Sequence, residues 1–356
     1  MSSVLGERIK LSVFGESHGT AIGCVIDGFP CGIKIDMDMV NAEMARRAPG
    51  RDKTTTPRKE ADTPEILSGI LNGVTTGAPI SMIIKNTNTK SGDYGNLMTV
   101  PRPSHSDYPA FIKYDGNNDV RGGGHFSGRL TAPIVFAGAL AKQALAQKGI
   151  TIGAHISQIG SVCDSGFDKN NITEEQLTAL SKSFFATLDD KEQEMRSEIE
   201  KARMDCDSIG GKIECAVIGV PAGTGGNMFN TIEGRLSYAL FGVPAVKGVE
   251  FGLGFDFAKS FGSQVNDGYE IENGRIKTVT NNNGGITGGM ATGAPIVFSA
   301  VIKPTPSISK PQKSVNLQTM ENEELVIHGR HDPCIVPRAV PVIEAVCAFT
   351  ILDILA

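Results

Sequence analysis

Proton chemistry near neutral pH calls for imidazoles beside hydroxyls or carboxylates, and three stretches of the chain supply that pairing. Ser17 and His18 lie within Gly15-Glu16-Ser17-His18-Gly19, and His105 within Arg102-Pro103-Ser104-His105-Ser106-Asp107-Tyr108. His331 adjoins Asp332 in Gly329-Arg330-His331-Asp332-Pro333-Cys334. Alone, each reads as a structural or exposed histidine. No two have His-x-x-x-His spacing, so no metal centre is expected, and a serine hydrolase is set aside for want of a nucleophile elbow. Cations stand nearby in sequence. Arg46, Arg47, Arg51, Lys53, Arg58 and Lys59 against Asp52 give a local charge of +5 on a chain whose net charge is −5. Arg46 and Arg47 can be explained as the cationic end of a helix. The others sit among Pro49, Gly50, Thr54, Thr55, Thr56 and Pro57, a loop composition that suits anion binding. Acid/base groups beside cations fit the expulsion of a phosphate: a proton for the leaving group, a base for a carbon-bound hydrogen, and positive charge around both.

Glycine-rich runs offer close backbone approach. Gly122-Gly123-Gly124-His125-Phe126-Ser127-Gly128-Arg129 is not a dinucleotide fingerprint, because Ser127 stands where the last glycine of G-x-G-x-x-G belongs. Gly210-Gly211-Lys212 continues with Ile213 and is no P-loop. The triple glycine can act as a turn, or let backbone amides and a following helix N-terminus meet an anion. Lys303-Pro304-Thr305-Pro306-Ser307 likewise offers a cation and two hydroxyls, or merely a stiff turn.

The elements that must hold these groups follow from apolar patterning. Strands are expected at about 8–14, 21–27, 66–71, 79–85, 151–159, 212–220, 246–252 and 294–302, and helices at about 36–47, 128–147, 173–184, 189–204, 230–241 and 338–355. Asp36 should cap the first helix, Ser127 or Thr131 the second, and Thr173 with Gln176 should form a capping box. The second helix is apolar on most faces and should be sandwiched. The run Ala339 to Ala356 contains Pro341, Glu344 and Asp353, so it reads as a buried terminal helix and not a membrane span. Irregular alternation of strands and helices predicts α+β, without the cadence of a doubly wound sheet. With 40% hydrophobic residues in 356, the chain can bury a large core, and no low-complexity linker divides it. Seven cysteines without a Cys-x-x-Cys pair predict free thiols in a reducing cytoplasm, and the N-terminus lacks the apolar core of a signal peptide. The negative net charge and the lack of tryptophan argue against a nucleic-acid partner.

From Gly6 to about Leu355 the order and spacing of these segments, with Arg46-Arg47-Ala48-Pro49-Gly50-Arg51, resemble the signature segments of the chorismate synthase family. The resemblance implies a single catalytic domain spanning 1–356, a β–α–β sandwich with helices between antiparallel sheets, and a homotetramer. It implies a lyase that converts 5-enolpyruvylshikimate 3-phosphate to chorismate and phosphate by anti-1,4-elimination, a step toward aromatic amino acids, with reduced FMN required and no net oxidation. His18 is then the acid to departing phosphate, His105 protonates or polarises the flavin, Asp332 assists proton transfer, and Ser17 and Ser127 orient these groups. Flavin contacts fall on His125, Phe126, Ser127, Ala245, Gly288, Lys303, Pro304, Thr305, Pro306, Ser307 and Arg330. Arg47, Lys53, Arg129 and Arg338 would take the substrate's carboxylates and phosphate; a pyridine nucleotide such as NADP is sometimes assigned to Arg47, but the anionic substrate is the simpler ligand. The chain departs from the family where His125-Phe126-Ser127-Gly128-Arg129 replaces a common Arg-Ser-Ser-Ala-Arg, and where Pro306 replaces a common serine. With no appended reductase evident, reduced FMN is expected from an external source. A non-catalytic phospholigand-binding protein is the alternative, distinguished by its indifference to flavin.

Overall fold

The structure is a computed structural model and describes residues 3–50, 62–86, 96–327 and 332–356. In chain order, β1 (Val4–Leu5), β2 (Lys10–Gly15) and β3 (Ala21–Asp27) lead into α1 (Met37–Arg47), then β4 (Glu65–Ser68), β5 (Ile70–Leu71), β6 (Val74–Thr75) and β7 (Ile80–Lys85). Helices α2 (Asp107–Lys113) and α3 (Thr131–Ala146) precede β8 (Thr151–Ile159), β9 (Val162–Cys163), α4 (Glu174–Ser181) and α5 (Glu192–Met204). After β10 (Gly211–Ile218), α6 (Ile232–Phe241), β11 (Val246–Phe251) and α7 (Gly262–Val265) come the hairpin strands β12 (Tyr269–Glu272) and β13 (Arg275–Thr278). A second hairpin of β14 (Ile286–Thr287) and β15 (Met290–Ala291), strand β16 (Ile296–Ile302), a third hairpin of β17 (Gln312–Asn316) and β18 (Glu321–Leu325), and α8 (Val336–Leu355) complete the order.

Two five-stranded antiparallel sheets, β1-β2-β3-β7-β4 and β11-β16-β10-β8-β9, enclose α3 and α8. Helix α3 lies on the first sheet and α8 on the second, while α1 packs against both helices. This is the α+β class that the alternation of elements predicts and the β–α–β sandwich that the resemblance implies. Strand β8 has a nearly continuous buried run because α8 covers one face and α4 the other, leaving no solvent side to demand polar alternation. Thirteen of the sixteen residues of α3 are buried, as its all-round apolar surface requires. A Cβ at Gly138 would fall 2.2 Å from Ala345 Cβ, so the two central helices meet at a glycine.

The terminal helix carries its buried charges in paired form. Glu344 accepts from Arg46 at 2.6 Å, from Lys142 at 2.6 Å and from the Ala154 backbone at 3.0 Å, tying α1, α3 and β8 to α8. Asp353 accepts from the backbone amides of Glu7, Arg8 and Ile9 and from Arg235. Among the described residues no helix is long and apolar enough to cross a membrane.

Asp36 caps α1 as expected, accepting from the amides of Asp38 and Met39. Thr173 accepts from the Gln176 amide at the start of α4. The helix expected from 128 begins at Thr131 instead. Ser127 caps a short 3-10 turn, Gly128–Leu130, and the Thr131 hydroxyl donates back to the Gly128 carbonyl at 2.6 Å. The strand expected at 66–71 is broken at Gly69, whose φ is +85° and whose missing Cβ would lie 2.5 Å from Ile80 Cα. Helix α2 and the three late hairpins carry no expectation from the sequence. Pro109 in the first turn masks α2, and β12 and β13 are exposed almost throughout, so burial does not pattern them.

Candidate functional site

Strand β2 ends at Gly15, and the turn into β3 delivers Ser17, 1% exposed, and His18, 8% exposed. The turn also spells G-x-S-x-G, but it joins two antiparallel strands and lacks the strand-to-helix bend that exposes a hydrolase nucleophile. The Ser17 amide donates to the Gly124 carbonyl at 3.1 Å, binding the turn to the triple glycine. Gly122 and Gly123 adopt φ of +60° and +84°. A Cβ at Gly122 would lie 2.6 Å from His18 Cδ2 and 2.8 Å from Ser17 Oγ, and one at Gly123 would lie 3.4 Å from both Cε1 and Nε2 of His105. The glycine run is therefore a thin seam between the two histidines, with His18 pressed against the bare backbone of Gly122 and His105 beside Gly123.

His105 follows Ser104, which holds a left-handed φ of +59°. Its Nδ1 lies 2.6 Å from Asp107 Oδ1, and Arg102 grips the same carboxylate through Nε at 2.7 Å and Nη2 at 2.8 Å. Burial, with Arg102 and Lys303 adding to it, draws the His105 imidazole below its ordinary value against the pull of Asp107. Burial would raise the Asp107 carboxyl, but the hydrogen bonds from Arg102 and His105 hold it well below the usual carboxylate range.

A second polar centre gathers cations. Arg47 donates through Nη1 to Asp62 at 2.5 Å, through Nε to Thr131 at 3.1 Å and through Nη2 to the Gly128 carbonyl at 3.1 Å. Arg129 donates to the same Asp62 and, at 2.9 Å, to Asn86. Arg338 reaches the Arg47 carbonyl at 3.0 Å and pairs with Asp332 at 2.5 Å. One buried carboxylate thus faces two buried guanidinium groups. Burial pushes the Arg47 guanidinium down to about 10, Arg338 and Arg129 push the same way, and Asp62 offsets only part, so Arg47 remains a cation at neutral pH. Burial would raise Asp62, yet Arg47 and Arg129 together hold it low. The neighbours Arg46 and Arg47 also diverge: Arg46 pairs with Glu344 inside the sandwich, so only Arg47 serves the cavity.

Both centres open on one cavity of about 1180 Å³. His105, His125, Phe126, Ser127 and Arg129 line it, and so do Arg47, Asp332 and Arg338. Ala245, Lys303, Thr305, Pro306 and Ser307 contribute further wall. His125 donates from Nδ1 to the Gly15 carbonyl at 2.8 Å and lies 2.8 Å from the Ser3 hydroxyl through Nε2. Lys303 donates to the Ser104 carbonyl at 2.5 Å; burial and Lys247 draw its ammonium below the usual lysine value. Ser17 and His18 lie under Gly122, which lines the cavity, while Pro304 and Gly288 are not among the lining residues. Gly288 sits at the turn of the β14–β15 hairpin. Lys53, Arg330 and His331 lie outside the described residues. Arg102, Asp107 and Asp62 were missed as site residues. Asp107 stands in the quoted motif two places after His105, whereas nothing in sequence marks Asp62.

The sandwich and this cavity are those of an enzyme whose likeness to known proteins runs the length of the chain. The chorismate synthase family model matches residues 9–356. A chorismate synthase of Thermococcus gammatolerans is 47% identical over 348 residues, covering 98% of this chain and 96% of that protein. One from Dehalococcoides mccartyi is 43% identical over 355 residues, covering 99% and 96%. A solved crystal structure of chorismate synthase superposes with a TM-score of 0.75 at 29% identity, covering 98% of this chain and 92% of the other. The chain belongs to the chorismate synthase family, and its activity is that of a lyase.

Proposed function

We propose that the chain converts 5-enolpyruvylshikimate 3-phosphate to chorismate and phosphate by anti-1,4-elimination, with reduced FMN required and regenerated. One observation carries the reading: the glycine seam brings His18 and His105 together beside a cavity that Arg47, Arg129 and Arg338 line. Reduced FMN, when bound, supplies transient electron density to the breaking carbon–oxygen bond and recovers it. The cavity suits such a group, because Leu11, Val13 and Ile134 offer apolar wall for a ring while Lys303, Thr305 and Ser307 offer a cation and hydroxyls for a phosphate. His125, Phe126, Ser127 and Ala245 would complete that side, with Gly288, Pro304, Pro306 and Arg330 as further contacts.

Arg47, Arg129 and Arg338, with Lys53, bind the substrate's carboxylates and phosphate in this reading. His18 gives a proton to the departing phosphate, Ser17 orients it, and His105 protonates or polarises the flavin through Nε2. Asp332, fixed by Arg338, assists proton transfer, and Ser127 orients the groups around it. The chain acts as one catalytic domain, which the continuous core across both sheets supports. It works in the cytoplasm as a homotetramer fed with reduced flavin from outside.

An anaerobic assay with chemically reduced FMN tests this. Turnover is expected with reduced FMN, none with oxidised FMN, and no flavin consumed per chorismate formed. One flavin oxidised per turnover would make the enzyme a reductase, and flavin-independent phospholigand binding without turnover would favour the non-catalytic alternative.

A further inference from the structure

The Asp107 carboxylate is the hub of a closed polar turn. Asp107 opens α2 and is 5% exposed. It accepts the Arg102 amide at 3.0 Å, Arg102 Nε at 2.7 Å, Arg102 Nη2 at 2.8 Å and contacts His105 Nδ1 at 2.6 Å. A buried carboxylate so surrounded by donors is ionised and can only accept. At 2.6 Å, His105 Nδ1 must therefore carry the hydrogen; an unprotonated nitrogen would set lone pair against lone pair. Arg102 Nη2 also lies 3.1 Å from Nδ1, but both atoms are donors and converge on the same Asp107 oxygen, so that approach is proximity and not a hydrogen bond.

We propose that Asp107, braced by Arg102, is a positioning residue that fixes His105 as the Nδ1–H tautomer and presents Nε2 to the cavity as a proton acceptor. This rests on the proposed role of His105 and adds the direction of its hydrogen bond. Three further observations agree. His105 Nε2 and Cε1 form the ring edge nearest Gly123, opposite the Asp107 contact, and even a Cβ there would lie 3.4 Å from both atoms, an ordinary contact that leaves the edge clear. Burial favours the neutral imidazole that an acceptor needs, and of the charged groups bearing on the ring Arg102 and Lys303 add to it while Asp107 opposes it. Arg102 Nη1 also reaches Ser307 Oγ at 3.3 Å, so the brace is anchored in the cavity wall as well as in the turn. Arg102 and Asp107 touch no reacting atom in this scheme; they act through His105.

The experiment is 15N NMR of histidine-labelled full-length protein, with His105→Ala identifying the His105 signals, alongside steady-state kinetics with reduced FMN. The wild type is expected to show a protonated Nδ1 and an unprotonated Nε2 near neutral pH. Asp107→Asn exchanges the acceptor for a group that can donate, so Nε2–H is expected to become the major tautomer and kcat to fall about 100-fold or more. KM for the substrate should move little. Should the Asn variant fold poorly, Asp107→Glu retains the carboxylate; it should keep the Nδ1–H tautomer and more of the activity. An Nε2–H tautomer in the wild type, or an Asn variant with unchanged shifts and unchanged kcat, overturns the proposal. Unimpaired turnover in His105→Ala overturns the role of His105 itself, and the ring-nitrogen shifts separate that failure from a wrong tautomer.

Discussion

Gly122 touches His18 so closely that a Cβ added to the glycine would sit 2.6 Å from the imidazole Cδ2 and 2.8 Å from Nε2. The glycine also holds a φ of +60°, where a side chain adds about 1–2 kcal/mol. Gly122→Ala should therefore displace the His18 ring and lower kcat about 100-fold or more, the usual cost of misplacing an acid, which is the role proposed for His18. The stability loss should stay near the backbone cost. Kinetics beside a denaturant titration would check this, and wild-type turnover in a folded variant would show that the seam does not set the His18 position.

Arg47 holds Asp62, Thr131 and the Gly128 carbonyl at once from the cavity wall. A lysine cannot reproduce that fork, because its three donors radiate from one nitrogen. Arg47→Lys should weaken substrate binding by about tenfold or more, matching the loss of ~1.5–3 kcal/mol for a charge-assisted contact, while FMN binding alone changes little. Equal losses for both ligands in separate titrations would mean that Arg47 supports the whole cavity and not an anion subsite.

What the sequence makes legible is set by burial on regular elements. The strands at 21–27, 151–159 and 246–252 and the helix at 36–47 carry clear apolar periodicity and appear within a residue or two of expectation. Gly69 and the Gly128–Leu130 turn were not legible, since each depends on a contact with a distant segment or on a hydroxyl choosing between two caps. In the site, histidines and arginines show as motifs, whereas Asp62 does not. Its meaning comes from two arginines, one 15 residues away in sequence and the other 67, brought to it by separate helical segments. In sequence the triple glycine reads either as a turn or as a backbone surface for an anion. In the structure its glycines meet protein groups: a Cβ at Gly124 would lie 2.0 Å from the Asp119 carbonyl oxygen, and one at Gly122 2.6 Å from His18 Cδ2.

The α3–α8 contact predicts a stability effect away from the ligand. A methyl at Gly138 would lie 2.2 Å from Ala345 Cβ and 2.3 Å from its Cα, and neither helix can yield without moving a sheet. Gly138→Ala gains helix propensity but overpacks this crossing, and a net loss of about 1–3 kcal/mol is expected. Its denaturation midpoint should fall; a rise would mean that the helices separate at little cost.

Glu344 predicts the acid limit of the fold. Burial would raise its carboxyl, but Arg46 and Lys142 hold it down to about 2 from an ordinary 4.5. Between those values the unfolded chain binds a proton that the folded chain refuses, so acid favours unfolding. The stabilisation is fully present above about pH 4.5 and is lost as the pH falls toward 2, amounting to about 3 kcal/mol if the partners stay in place. Glu344→Gln keeps the shape and removes the charge, leaving Arg46 and Lys142 partly uncompensated. The variant should be less stable than the wild type at pH 7, and the gap should close on acidification through that window. Urea titrations of both proteins from pH 7 to pH 3 would read the difference directly, and a gap that stayed constant across the window would show that Glu344 does not remain ionised in the core.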